Sequence, residues 1–191
     1  MLRDLYFYPL AGLVIAAMIA FALSLGDYER PSDQQIRAQG YVLQGEDLTR
    51  LTASAATNSE FIAQTASTPA HARLWTHIAK ENVGLSAGVF ATMDENHKRV
   101  FAGERLRLTI TARQSRYEPL EVFEAGYFAS GANATGWLEY ELTPEWQDYQ
   151  FEFTPKFPEA KADIDYFGIW PGDTADLRYM DVSKMQVEVL E

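Results

Sequence analysis

The sequence predicts an all-β domain, an antiparallel β-sandwich or jelly roll, that follows one N-terminal transmembrane α-helix. An uncharged apolar run over residues 5–26 predicts the helix. Beyond it, short segments recur in which apolar and polar residues alternate, which is the two-residue period of strands with one buried face. Gly, Pro and Asn turns separate these segments, as in sandwiches and jelly rolls.

Composition excludes several classes of protein. The 191 residues are 47% hydrophobic and 13% aromatic, which is enough to bury the core of one ordinary domain. The formal net charge of -11 opposes contact with a phosphate backbone, so we exclude nucleic-acid binding. The chain has no Cys, which excludes disulfide scaffolds, thiolate metal sites and cysteine nucleophiles.

The apolar run over residues 5–26 has the length of a membrane span, because a helix rises about 1.5 Å per residue and a hydrocarbon core is about 30 Å thick. Tyr6 and Tyr8 stand at its start, where amphipathic rings favour the headgroup layer. One arginine precedes the run and acidic residues follow it. The positive-inside tendency therefore predicts a single-pass protein of the inner (cytoplasmic) membrane, with its N-terminus inside and a periplasmic C-terminal domain. A cleaved signal peptide is the alternative, since Ala22 and Ser24 have the spacing of a peptidase site.

Small residues recur every four positions along the predicted helix, at Gly12, Ala16, Ala20 and Ser24. This spacing places them on one ridge, where small side chains let two helix backbones approach closely. We therefore expect the ridge to pack against an integral-membrane partner. The alternative is that Ala and Gly are simply common in membrane spans.

The predicted domain organisation has three parts. Residues 1–26 form the transmembrane anchor, and the polar residues 27–39, which include Pro31, form a juxtamembrane linker. Residues 40–191 form the β-sandwich domain, because no repeat, low-complexity tract or second boundary interrupts them.

The strongest strand signal lies at residues 105–113, where Leu and Ile alternate with Arg and Thr. Segments 138–142 and 149–153 alternate in the same way around a turn at residues 143–145, which predicts a hairpin. The pattern of residues 48–66 fits either a strand pair or a short helix. Further strands are predicted at residues 41–43, 73–78, 86–92, 120–128, 164–170 and 179–189.

Four segments resemble a known family in order and spacing: residues 104–113, 135–138, 142–153 and 180–183. They are similar to the galactose-binding-like jelly rolls of carbohydrate-binding modules, and the most specific part is the T-P-E-W-Q-D-Y-Q-F-E-F run that ends at Phe153. The resemblance implies a sandwich of two sheets, often with a structural calcium ion and sometimes with a sugar cleft on one face. It marks a fold more than an activity.

The inventory of catalytic residues is poor. His71, His77 and His97 are the only histidines, and none has the spacing that places two imidazoles on one metal. No phosphate loop or nucleophile elbow is present. Acidic pairs are numerous, but 27 Asp and Glu residues produce such pairs without design. We therefore predict no catalytic residue, no metal ligand and no cofactor, apart from the calcium that the resemblance implies.

Aromatic side chains are the candidate glycan-binding residues, because a ring can stack on the apolar face of a sugar. We assign Trp137 and Trp146 to the core, since both lie in the segments of the resemblance. The remaining candidates for a sugar cleft are Trp75, Trp170, Tyr117, Tyr127 and Arg113.

Three functions follow from these observations. The main hypothesis is a non-catalytic accessory subunit of a larger integral-membrane complex, of the respiratory or photosynthetic kind, because the small-residue ridge suits a helix that must fit a partner. The alternative is a membrane-tethered carbohydrate-binding module with polysaccharide as its partner. The third is an enzyme that acts on glycans.

Overall fold

The computed structural model describes residues 4–25, 31–83, 88–129, 133–157, 164–172 and 177–190. The chain divides into two compact units, Met1–Ser32 and Asp33–Glu191. The first unit holds helix α1 (Asp4–Leu25). Within the residues described, no helix combines the length and the hydropathy needed to cross a membrane. The predicted helix is present as α1, whereas its role as a membrane span stays a prediction.

The predicted packing ridge lies on α1. Gly12, Ala16 and Ala20 are exposed, and the side chain of Ser24 lies outside the described part. A helical partner for this ridge stays a prediction.

The second unit begins with helix α2 (Asp33–Gln39), which we had predicted to be linker. Ile36 is buried in the core, and Asp33 accepts two hydrogen bonds of 2.7 Å from the guanidinium of Arg99 on helix α3 (Glu95–Phe101). Burial of Ile36 makes this helix part of the domain. The domain therefore starts at Asp33 and not at residue 40.

In the described part of the second unit the strands are, in chain order, β1 (Tyr41–Gln44), β2 (Thr52–Ala53), β3 (Thr57–Ile62), β4 (His71–Thr76), β5 (Val89–Thr92), β6 (Leu106–Gln114), β7 (Val122–Ala129), β8 (Asn133–Ala134), β9 (Leu138–Glu141), β10 (Gln147–Phe153), β11 (Tyr166–Trp170) and β12 (Met180–Val189). They form two sheets of six strands each, and the strand pairs within both sheets are antiparallel. The first sheet has the order β10-β6-β12-β4-β3, with β1 also paired to β12, and the second has the order β2-β5-β11-β7-β8, with β9 also paired to β7.

The core lies between the two sheets and follows from the alternation of the strands. On β6, Leu106, Leu108 and Ile110 are fully buried, and from the second sheet Phe123 and Phe167 are fully buried as well. Residues that alternate with them point to the outer faces. The predicted all-β antiparallel sandwich is confirmed.

The predicted hairpin of residues 138–153 is wrong. β9 pairs with β7 in the second sheet, whereas β10 pairs with β6 in the first. Leu142 and Tyr149 are both buried, and the backbone N–H of Thr143 donates to the hydroxyl of Tyr149 over 3.1 Å. The chain therefore crosses from one sheet to the other here. Alternation fixes which face of a strand is buried and does not choose the neighbouring strand.

Helix α3 was not predicted, although its start carries a signal. Asp94 accepts hydrogen bonds from the backbone N–H groups of Asn96 and His97, as an N-cap does. Burial tends to raise the pKa of Asp94, but these hydrogen bonds and the nearby His97 outweigh it and hold that pKa below its ordinary value. A carboxylate just before a short polar segment could have indicated a helix start.

We predict that Gly40→Ala destabilises the domain much more than Gly45→Ala. Both glycines have positive φ, so each substitution costs about 1 kcal/mol of backbone strain. At Gly40 the added Cβ would also lie 2.1 Å from the carbonyl oxygen of Val187, whereas at Gly45 nothing lies within 4 Å. Such overpacking costs about 1–3 kcal/mol more. Urea unfolding of both variants measures the difference, and equal losses would contradict it.

Candidate functional site

A row of aromatic rings crosses the outer face of the second sheet. Phe90 on β5, Tyr166 on β11 and Phe128 on β7 occupy outward positions, and Trp137 follows just before β9. Their ring centroids are separated by 5.5 Å, 5.0 Å and 4.8 Å in that order. All four side chains are half-buried. We call these four residues the aromatic strip.

The position of Trp137 follows from a close backbone approach. Gly126 on β7 has no side chain, and a Cβ there would lie 2.3 Å from the carbonyl oxygen of Gly136. Thr135 holds the same segment, because its N–H donates to the carbonyl of Tyr127 over 3.0 Å and its hydroxyl accepts from the N–H of Tyr127 over 2.9 Å. The glycine therefore lets Trp137 close one end of the strip.

Charged and polar groups border the strip. The ammonium of Lys80 pairs with Glu124 on β7, and its Nζ lies 5.3 Å from the ring centroid of Trp137. Burial raises the pKa of Tyr166 above its ordinary value, so the phenol is neutral at physiological pH and can donate a hydrogen bond. Apolar ring surface flanked by a few hydrogen-bonding groups is the usual composition of a sugar-binding surface.

Two predicted cleft residues, Tyr127 and Trp170, are buried and present no surface to a ligand, which corrects their assignment. Tyr127 points into the core between the sheets and is 0% exposed, and its hydroxyl donates to Asp165 over 3.3 Å. Burial and then the Asp165 carboxylate raise the pKa of Tyr127 well above its ordinary value. Trp170 points outward, but Trp137 packs against it with centroids 6.3 Å apart, and it is 1% exposed.

Of the other three predicted residues, Trp75 and Arg113 lie on the first sheet and Tyr117 lies in the loop that follows β6. Trp75 on β4 contacts Tyr179 with centroids 5.6 Å apart, and the exposed Tyr117 contacts the same ring at 5.9 Å. Arg113 on β6 is buried. The five predicted residues are therefore divided between two sheets and a loop and do not form one cleft.

Sequence reasoning missed the residues of the aromatic strip and misplaced Trp146. Trp137 and Trp146 are half-buried on outer faces, not in the core as predicted. The signal for the strip was available, because β5, β7 and β11 carry aromatic residues on the face opposite their buried side chains. A strand that is apolar on both faces either packs against other parts of the protein on both sides or uses its exposed apolar face to bind a ligand or partner.

An ion cluster lies on the outer face of the first sheet. The carboxylate of Asp181 is fully buried, and it accepts hydrogen bonds from Nε of Arg73 over 3.0 Å and from Nη2 of Arg113 over 3.2 Å. Nε2 of His71 lies 3.7 Å from the same carboxylate. Trp146 covers the cluster, with its ring centroid 4.5 Å from the guanidinium of Arg113.

For the calcium that the resemblance implies, the described part of the chain offers no cluster of metal-binding side chains. Its residues contain no group of three or more His, Asp or Glu side chains that could hold a metal ion. The fully buried carboxylate of Asp181 is already bound by two guanidinium groups, whose charge opposes a metal cation.

Comparison with solved structures identifies sandwiches of the same fold. The C-terminal family 22 carbohydrate-binding module of Clostridium thermocellum Xyn10B has a TM-score of 0.54 and 14% identity, and the match covers 84% of this chain and 96% of that one. The CBM22-2 xylan-binding domain of Paenibacillus barcinonensis Xyn10C has a TM-score of 0.53 and 9% identity, with 78% and 99% covered. The match to the tandem CBM22-1-CBM22-2 domain of Xyn10C covers 80% of this chain and 46% of the tandem, with a TM-score of 0.53 and 10% identity.

No protein-family model matches the chain, and no curated protein matches it. The similarity to solved structures establishes a sandwich like that of carbohydrate-binding modules, as the sequence resemblance implied. It also corrects the main functional hypothesis. The prediction of an accessory subunit of a membrane complex is wrong, because the structural neighbours favour its alternative, a carbohydrate-binding module.

We predict that Asp181→Ala destabilises the domain by about 3 kcal/mol, because it leaves two guanidinium groups without their buried partner. Glu152→Ala is the matched control, since Glu152 also pairs with two arginines, Arg105 and Arg107, but at an exposed position. We expect no resolvable change in that variant. Thermal and urea unfolding measure the stability of both variants. If Asp181→Ala were as stable as the wild-type domain, the ion cluster would not stabilise the fold.

Proposed function

We propose that residues 33–190 form a non-catalytic module that binds polysaccharide on the aromatic strip. The observation that carries this proposal is the strip itself, four half-buried rings in contact on the outer face of a sheet. Similarity to carbohydrate-binding modules supports it at the level of the fold. One such neighbour is a xylan-binding domain, so xylan and xylo-oligosaccharides are the first ligands to test.

Binding on the strip would use two kinds of contact. The edges and free surfaces of the rings would contact the apolar C–H faces of consecutive sugar rings, which removes apolar area from water. Hydroxyl groups of the sugar would meet the phenol of Tyr166 and the polar end of the strip, where Lys80 and Glu124 lie beside Trp137. Because the rings already pack against one another, little side-chain entropy is lost on binding.

The proposal is one of binding without turnover. Glycoside hydrolysis needs two carboxyl groups that face each other across the scissile bond, about 5–9.5 Å apart. Glu124 pairs with Lys80, and Glu139, its cross-strand neighbour on β9, lies beside it on the same face of the sheet and not across the strip from it. We therefore assign to the strip recognition of the polysaccharide and not its hydrolysis.

We predict that Tyr166→Ala weakens binding of xylohexaose about tenfold, because loss of one stacked ring removes about 1.4 kcal/mol. Phe128→Ala should have a similar effect. Phe157→Ala is the matched control, since Phe157 is an exposed ring outside the strip. Isothermal titration calorimetry measures the affinities. Unchanged affinity in both strip variants would place binding elsewhere, and silence of the wild-type protein across neutral and acidic glycans would refute the function.

We also propose that residues 5–26 tether the module to the cytoplasmic membrane, with the module in the periplasm. The uncharged run and the charges that flank it support this proposal. A charge at the centre of such a run costs about 2.5–3.5 kcal/mol of insertion free energy.

The tether predicts that the full chain resists carbonate extraction of membranes and that Ile15→Lys moves part of it to the supernatant. Gln34→Lys adds the same charge outside the run and should leave the distribution unchanged. Complete extraction of the wild-type chain would contradict the tether.

A further inference from the structure

A second concave surface lies on the outer face of the first sheet, opposite the aromatic strip. It is a groove of about 680 Å³. Its floor and walls include hydroxyl, carboxylate, amide and ammonium groups, and those used below belong to Gln44, Gln64, Thr111, Asp148, Ser183 and Lys184. None of these residues belongs to the strip.

The groove arises from the way that the first sheet is paired. Strand β12 has β6 along one edge, while its other edge is shared, since Val182 pairs with Ala72 of β4 and Lys184 pairs with Gln44 of β1. A register shift lies between Val182 and Lys184. At Ser183 one neighbouring strand has ended and the other has begun, so the sheet has a gap at this point. The gap is part of the sheet topology and does not depend on a loop conformation.

Hydrogen-bonding groups line the gap. The hydroxyl of Thr111 donates to Asp148 over 2.5 Å, and the hydroxyl of Ser183 donates to the carbonyl of Thr111 over 3.4 Å. Lys184 forms no ion pair with the residues that the structure describes. Hydroxyl, amide and carboxylate groups alternate over a short distance, which suits the closely spaced hydroxyl groups of a sugar.

The charges of the groove favour a neutral ligand. Two carboxylates, Asp47 and Asp148, stand against the ammonium of Lys184, and Asp47 also lies 3.8 Å from the guanidinium of Arg50. These four charges balance, so an anionic ligand such as a phosphate would gain no net attraction from them. A neutral, hydroxyl-rich ligand needs no such attraction.

Trp146 does not line the groove but lies beside it. It precedes Asp148 by two residues, and in an extended chain such residues lie on the same face about 7 Å apart. His71, whose neighbours Pro69 and Ala70 line the groove, contacts the Trp146 ring with centroids 5.9 Å apart. The tryptophan thus adds ring surface beside the polar groups.

The ion cluster beneath Trp146 holds this ring in place. One side of the ring contacts the guanidinium of Arg113, which is bound to the fully buried Asp181. Nδ1 of His71 lies 2.9 Å from the carbonyl oxygen of Pro69, which fixes the imidazole. The ring is therefore ordered before any ligand arrives, which lowers the entropy lost on binding.

We propose that this groove is a second carbohydrate-binding site, in which Trp146 contacts a neutral sugar ring and the polar residues beside it bind the adjoining hydroxyl groups. The inference rests on the proposed function, because it assigns the same class of ligand to the opposite face of the sandwich. A module with a site on each outer face can hold two polysaccharide chains at once and cross-link them.

Calorimetric titration with xylohexaose tests the proposal through single variants of each face and the double variant. The wild-type domain should bind one oligosaccharide per face. Tyr166→Ala should weaken the strip site about tenfold, Trp146→Ala should weaken the groove site to a similar extent, and the double variant should weaken both sites. Phe157→Ala is again the control. Because Trp146 covers the ion cluster, the combined variant Gln64→Ala with Lys184→Ala provides a groove change that leaves the cluster intact. It should weaken the groove site about tenfold, as loss of about 1.4 kcal/mol does.

The outcomes separate the two proposals. A single site per domain that weakens in Tyr166→Ala and is unchanged in Trp146→Ala and in the combined groove variant would overturn the groove and leave the strip in place. Weaker binding in the groove variants alone would uphold the groove and refute the strip. The indole N–H signals of the four tryptophans give an independent readout. The signal assigned to Trp146 through Trp146→Phe should shift on titration, and its constancy at saturation would overturn the inference.

Discussion

The pairing of β12 with its neighbours is the constraint on which both faces of the first sheet, the inner and the outer, depend. This strand pairs with β6 from Met180 to Val189 and shares its other edge between β4 and β1. Its inward residues supply part of the core, and its outward Asp181 organises the charged side chains of three strands. The same strand thus fixes the core, the ion cluster and the gap at Ser183.

A fully buried carboxylate on the outer face of a sheet is unusual, because charged side chains there normally reach water. Two guanidinium groups, those of Arg73 and Arg113, surround the Asp181 carboxylate, and Trp146 covers that of Arg113. The cluster converts a flat polar face into one with a fixed aromatic ring. Its ionic contacts therefore contribute to the shape of the surface as well as to stability.

The two outer faces present aromatic rings in different ways. On the second sheet, four rings pack against one another and form a continuous apolar surface with polar groups at one end. On the first sheet, Trp146 stands beside a polar groove. Long polysaccharides offer both repeated apolar faces and dense hydroxyl groups, so both surfaces are chemically suited to the same class of ligand.

The amino-acid sequence by itself determined the class of fold and the buried face of most strands, because alternation along residues 106–110 or 149–153 is a local property of the chain. It also carried the resemblance to carbohydrate-binding modules. The tertiary structure alone decided that β9 and β10 lie in different sheets, that Trp170 is covered while Trp146 is not, and that Asp181 meets Arg73 and Arg113. These features depend on which strands become neighbours. That choice is set by packing of the whole core, and no short stretch of sequence encodes it.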